Sequence, residues 1–192
     1  MSWQTEFRSW SFPVNLSTPA PPVVGSRAPH TEKLSSVAGD GRPFLVTFLR
    51  HCGCPFAEKT FMSLRKAASE HPDTRFIAVS HSDDESTRHW VDALGGAEGV
   101  LVVVDASREA YASWGLGVSS FWHVLNPWSL YSVYKLGKQE NIWNRPTESG
   151  SRWQCSGSFA VNEEGTVRWS SPSQTADHVP DFAEAVQALS TK

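Results

Sequence analysis

Long apolar runs are missing from these 192 residues. No stretch approaches the roughly 18 consecutive apolar residues that a membrane span needs, so no membrane partner is expected. The first segment, MSWQTEFRSWSFP, carries charges and a proline where a secretory leader would have a continuous apolar stretch. Basic excess is missing too. Lys+Arg number 17 against 20 Asp+Glu, a formal net charge of -3, and this balance offers no basic stripe to neutralise the phosphates of a nucleic acid. Cysteine is scarce: three residues, an odd number without metal-type spacing, fit a reducing compartment and lead to the expectation of a cytoplasmic protein. No pair among the seven histidines has convincing ligand spacing. A phosphate-binding glycine loop, a nucleophile elbow and paired carboxylates are likewise absent, and neither a metal nor a cofactor is expected.

What is present describes one soluble α/β domain behind a short arm. Hydrophobic residues make up 40% and charged residues 19%, enough for one buried core in a chain of this length. Residues 1–22 read as an N-terminal arm: LSTPAPP is extended, and Trp3, Phe7, Trp10 and Phe12 suggest that it docks. Residues 23–192 read as a single domain. Strands are expected at Phe44–Leu49, Phe76–Ser80 and Val100–Asp105, the last (VLVVVD) apolar almost throughout in the manner of a central parallel strand. Helices are expected at Pro55–Glu70, after the capping-box pattern Ser82-Asp83-Asp84-Glu85 and up to Gly95-Gly96, and at Ser107–Trp114. In the first of them Ala57, Phe61, Leu64 and Ala68 share one face, and Pro55 suits the first helical position. An irregular insertion over about 116–156 holds one helix begun by Asn126-Pro127. Strands at Ser158–Val161 and Thr166–Trp169 flank the turn Asn162-Glu163-Glu164-Gly165, and a last helix from Pro180 buries Phe182, Val186 and Leu189. The order β-α-β-α-β-α, insertion, β-β-α implies a mixed sheet with helices on both faces.

The stretch FLVTFLRHCGCPFAEKTFMSL, Phe44–Leu64, carries the chemistry. It runs from a strand through Cys54-Pro55 into a helix, which sets Cys54 at a first turn where unpaired amides and the helix dipole favour negative charge. The thiolate is the form of cysteine that reacts. Tryptophan is the one surplus, nine against 3 Tyr, with Trp114, Trp122, Trp128, Trp143 and Trp153 in or beside the insertion. These rings either pack the irregular segment onto the core or wall an aromatic pocket beside the thiol.

This architecture resembles the thioredoxin-like fold, and within it the peroxiredoxin-like proteins of the alkyl hydroperoxide reductase/thiol-specific antioxidant type. Three motifs carry the likeness: Val24-Gly25-Ser26-Arg27-Ala28-Pro29 as an opening segment, Gly53-Cys54-Pro55 at the active-site helix, and the hairpin Ser158–Gly165. Nearest is a divergent fungal branch close to the peroxiredoxin-like-2 proteins. The resemblance implies a peroxidatic role for Cys54. It also has departures. Where such proteins carry a proline and a threonine ahead of the reactive cysteine, this chain has Thr47 and His51, and Ala57 replaces the second cysteine of a Cys-x-x-Cys pair.

The expected catalytic residues are therefore Cys54, His51 as base or electrostatic partner, and Cys155 as a resolving thiol. Cys52 is either structural or a second candidate for that resolving role. Arg50, Arg145, Arg152, Gln154, Trp143 and Trp153 are the expected substrate-binding residues. Two enzymatic functions follow, beside a third reading as a binding or regulatory module without catalysis. One is a thiol-dependent oxidoreductase acting on a peroxide or disulfide, with resolution by Cys155, Cys52 or an external thiol reductant. The other is a non-redox biosynthetic enzyme (isomerase, lyase or cyclase of secondary metabolism) working on a small-molecule substrate in an aromatic pocket. Exposed aromatics on the arm and insertion make a homodimer a further expectation.

Overall fold

A computed structural model describes residues 6–7, 9–38, 41–125 and 127–190. Trp3 and Asn126, both named above, lie outside the described residues. The five strands are β1 Phe44–Phe48, β2 Arg75–Ser80, β3 Val100–Val104, β4 Gly157–Val161 and β5 Val167–Pro172. They form one sheet in the order β3-β2-β1-β4-β5. The first three run parallel, while β4 is antiparallel to both β1 and β5. The expected mixed sheet is thus present, with one correction. VLVVVD does not lie at the centre: β3 is an edge strand among the described residues, and its Leu101 is 41% exposed. Continuous apolarity marks a parallel strand and does not settle its place in the sheet.

Helices cover both faces because side chains alternate along each strand. Leu45, Phe76, Ala78 and Ala160 face one core, with Phe61, Leu64, Trp90 and Phe182 from the helices α2 Pro55–Glu70, α3 Asp84–Ala93 and α7 Phe182–Ser190. Val46, Phe48, Ile77, Val79, Phe159 and Val161 face the other, with Leu34 of α1 Glu32–Ala38 and Tyr111 of α4 Glu109–Ser113. The whole Ala57, Phe61, Leu64, Ala68 face of α2 is buried, as its spacing requires.

Local chemistry sets the boundaries. Asp83, and not Ser82, caps α3: its Oδ1 accepts from Ser86 N at 2.8 Å. Ser82 is otherwise engaged, accepting from Cys52 N and donating to Ser149 O. Asp105 Oδ2 accepts from Ala110 N at 2.8 Å and so caps α4 from outside. The insertion holds α5 Phe121–Leu125 and α6 Pro127–Glu140, of which the sequence reading anticipates only the second. No helix among the described residues is long and apolar enough to cross a membrane.

Candidate active site

Cys54 stands at the N-cap of α2, with extended backbone (φ -74, ψ 127) and no side-chain capping bond. Its amide donates to His51 O at 3.1 Å, closing the turn HCGC, while its carbonyl accepts from Glu58 N. The turn depends on Gly53, whose φ is +104; a Cβ there would sit 2.9 Å from the carbonyl oxygens of both Arg145 and Pro146. The sequence thus brings the thiol to the carboxyl end of β1, where open α/β sheets place their sites.

Cys54 is 94% buried, yet it lines a cavity of about 180 Å³ together with Arg50, His51, Phe56, Arg152 and Trp10. Val124, Leu130 and Val133 of α5 and α6 add an apolar wall. The two sulfurs of the CGC turn part company. Cys52 lines a separate cavity of about 150 Å³ with Trp90, Arg145 and Glu148. Its Sγ lies 3.6 Å from Ser80 Oγ and 3.9 Å from Thr87 Oγ1. Burial pushes the Cys52 thiol up, against hydrogen bonds from Ser82, Ser80 and Thr87. Cys155 packs on the core opposite the one that holds Cys54, and burial raises its thiol as well, opposed by the charge of Arg50. All three cysteines are free.

The charge around the thiol is uneven. Arg152 is neutralised by the arm: its guanidinium pairs with Glu6, its Nε donates to Ser9 Oγ at 2.9 Å, and Trp10 stacks over it at 4.8 Å. Arg50 is 5% exposed and donates Nη2 to Arg152 O at 2.7 Å, but its Nε and Nη1 have no hydrogen-bond partner. No carboxylate pairs with it among the described residues. His51 is 2% exposed, and neither ring nitrogen has a partner. Burial, and after it the charges of Arg50, Arg152 and His81, hold His51 well below an ordinary histidine, so the ring is neutral at pH 7. His81 is buried too. Its Nε2 lies 3.1 Å from both the amide nitrogen and the carbonyl oxygen of Ser151, and burial lowers it to about 4, opposed by the hydrogen bond to the Ser151 carbonyl and helped by Arg50.

The remaining residues singled out from the sequence fall elsewhere. Arg145 lines the Cys52 cavity and donates Nε to buried Glu58 at 2.7 Å. Gln154 is spent on the backbone, Nε2 donating to Leu116 O at 2.7 Å. Trp153 is buried against the arm, stacked on Phe12 at 4.4 Å and donating Nε1 to Trp10 O. Trp143 packs against Gly137, while Trp122 and Trp128 are over 70% exposed. The insertion's tryptophans therefore do not wall the thiol cavity. Among the described residues, the tryptophan that does is Trp10, which the sequence marks only as part of a docking arm.

The sequence profile of the AhpC/TSA antioxidant enzyme family matches residues 62–174, more than half of the chain. The chain belongs to the AhpC/TSA antioxidant enzyme family. The matched stretch begins after the Cys54 turn, running from α2 through β5. No curated protein matches the sequence. Among solved structures, a cysteine-to-serine mutant of peroxiredoxin 6 from Arenicola marina superposes with a TM-score of 0.63 at 11% identity, over 88% of this chain and 72% of that one. A peroxiredoxin-like protein from Aquifex aeolicus gives 0.58 at 13% identity, over 89% and 88%. Thiol peroxidase from Chromobacterium violaceum gives 0.57 at 14%, over 91% and 90%. These likenesses establish a peroxiredoxin-like, thioredoxin-type fold for this AhpC/TSA family member.

Proposed function

We propose that this chain is a thiol-dependent peroxide reductase whose reacting group is Cys54. The observation that carries the reading is the position of this thiol, at the N-terminus of a 16-residue helix and on the wall of a cavity that Arg50, a cation without a paired carboxylate among the described residues, also lines. A helix N-terminus presents unpaired amides to an anion formed there. In the step proposed, the Cys54 thiolate attacks a peroxide oxygen. A sulfur–oxygen bond forms, the oxygen–oxygen bond breaks, sulfur is oxidised to sulfenic acid, and the departing alkoxide or hydroxide takes up a proton. An external thiol then condenses with the sulfenic acid, releasing water, and a second thiol exchanges the mixed disulfide back to the free thiol. An external reductant is favoured because Cys52 and Cys155 border other parts of the fold. Membership of the AhpC/TSA family supports this redox reading over the non-redox one.

The test is peroxide consumption with excess dithiothreitol. Wild type and the Cys155→Ser and Cys52→Ser variants are expected to turn over, and Cys54→Ser to be inactive. Turnover retained in Cys54→Ser overturns the reading.

A further inference from the structure

We infer that the Cys54 cavity binds the carboxylate of an organic co-substrate, with Arg50 supplying the charge and the helical wall receiving the apolar body. The inference deepens the proposed reaction by naming its substrate class, and it rests on that reading for the chemistry alone.

A buried cation without a counter-charge is costly unless something completes it. Arg152 is completed by Glu6, whereas Arg50, which lines this cavity and a smaller one beside Ser156 and His178, satisfies Nη2 on the Arg152 carbonyl and leaves Nε and Nη1 buried without partners. No aspartate or glutamate lines this cavity among the described residues. Next to Arg50 stands His51, neutral and with both ring nitrogens unpartnered, able to offer one donor and one acceptor. Size leaves room for more than the smallest substrates. About 180 Å³ is the room of several waters, each taking roughly 30 Å³ of liquid, and hydrogen peroxide would leave most of it unfilled. Phe56, Val124, Leu130 and Val133 give one part of the wall a surface that a hydrocarbon or aromatic body would dry, beside the polar side chains of Ser129 and Asn144. One cation, one neutral polar ring and an apolar wall together select an amphiphilic anion.

Calorimetric titration of the full chain with 3-phenylpropionate and its neutral isostere 3-phenylpropanamide tests this without any peroxide. The carboxylate is expected to bind about tenfold more tightly or better, and acetate about tenfold more weakly than phenylpropionate. Arg50→Gln is expected to bring acid and amide within about threefold of each other. Equal binding of acid and amide by wild type overturns the inference, as does a preference that survives in Arg50→Gln; acetate binding as tightly as phenylpropionate overturns the apolar half of it. Should Arg50→Gln fail to fold, the acid–amide comparison on wild type decides: a preference for the acid below about threefold overturns the inference. A protein that binds the acid but never oxidises at Cys54 retains this inference and loses the redox reading. One that oxidises without preferring the acid does the reverse.

Discussion

Acid should loosen this fold well before its carboxylates titrate, and His81 sets the scale. The ring is buried and held at about 4, against 6.5 in an unfolded chain. Because the folded value is the lower one, the unfolded state binds the proton first, so stability is complete above 6.5 and drains as pH falls toward 4. At pH 5 the unfolded imidazole is almost fully protonated while the native one is about nine-tenths neutral, a difference of about 2 kcal/mol relative to pH 7.5. His51, displaced in the same direction by burial and by Arg50, adds to the loss. Asp83 and Asp177 are separable. Burial raises their carboxyls, but hydrogen bonds from Ser86 and from Ser129 and Ser132 bring them below 3.8, so their contribution is lost only at more acid pH. Urea unfolding at pH 7.5, 6 and 5 measures the effect. With a slope of about 2–3 kcal/mol per molar, the midpoint should drop by about 0.7–1 M between the extremes. His81→Gln should reduce that drop. A midpoint that stays level from pH 7.5 to 5 refutes a neutral, buried His81.

Three further substitutions probe the thiol's surroundings. Gly53→Ala forces a Cβ at φ +104 against two carbonyl oxygens, and should cost about 2 kcal/mol or more in melting experiments while disturbing alkylation of Cys54. Arg145→Ala leaves buried Glu58 without its guanidinium; because Arg145 is itself 43% exposed, the expected loss is about 1–3 kcal/mol by urea unfolding, and no loss would mean that the pair is solvated. Trp10→Ala removes a cavity wall and the ring over Arg152, costing about 1 kcal/mol and quickening alkylation of Cys54 by iodoacetamide; an unchanged rate would show that Trp10 does not restrict access.

Periodicity and punctuation made most of the scaffold legible. Pro55 at the helix start, the Ala57–Ala68 stripe and Gly95-Gly96, both at positive φ, are local signals, and the elements they imply match the structure closely. Strand order was not local, so β3 could be recognised as parallel but not placed at an edge. The thiol turn was legible for the same reason as the helix. Its surroundings were less so, because they depend on long-range contacts. Arg152 and Trp153 are claimed by Glu6, Ser9 and Phe12, more than 140 residues away for each of these contacts, and only packing reveals that the arm uses them. Arg50 and His51 differ: adjacent to the CGC turn, they were marked by proximity, while their lack of partners is a property of the folded interior alone.

Mass spectrometry of the three cysteines after exposure to limiting peroxide, with a sulfenic-acid trap present, tests the central claim most directly. The expected result is modification of Cys54, with Cys52 and Cys155 left as thiols. Trapping on Cys52 or Cys155 with Cys54 unmodified would contradict it.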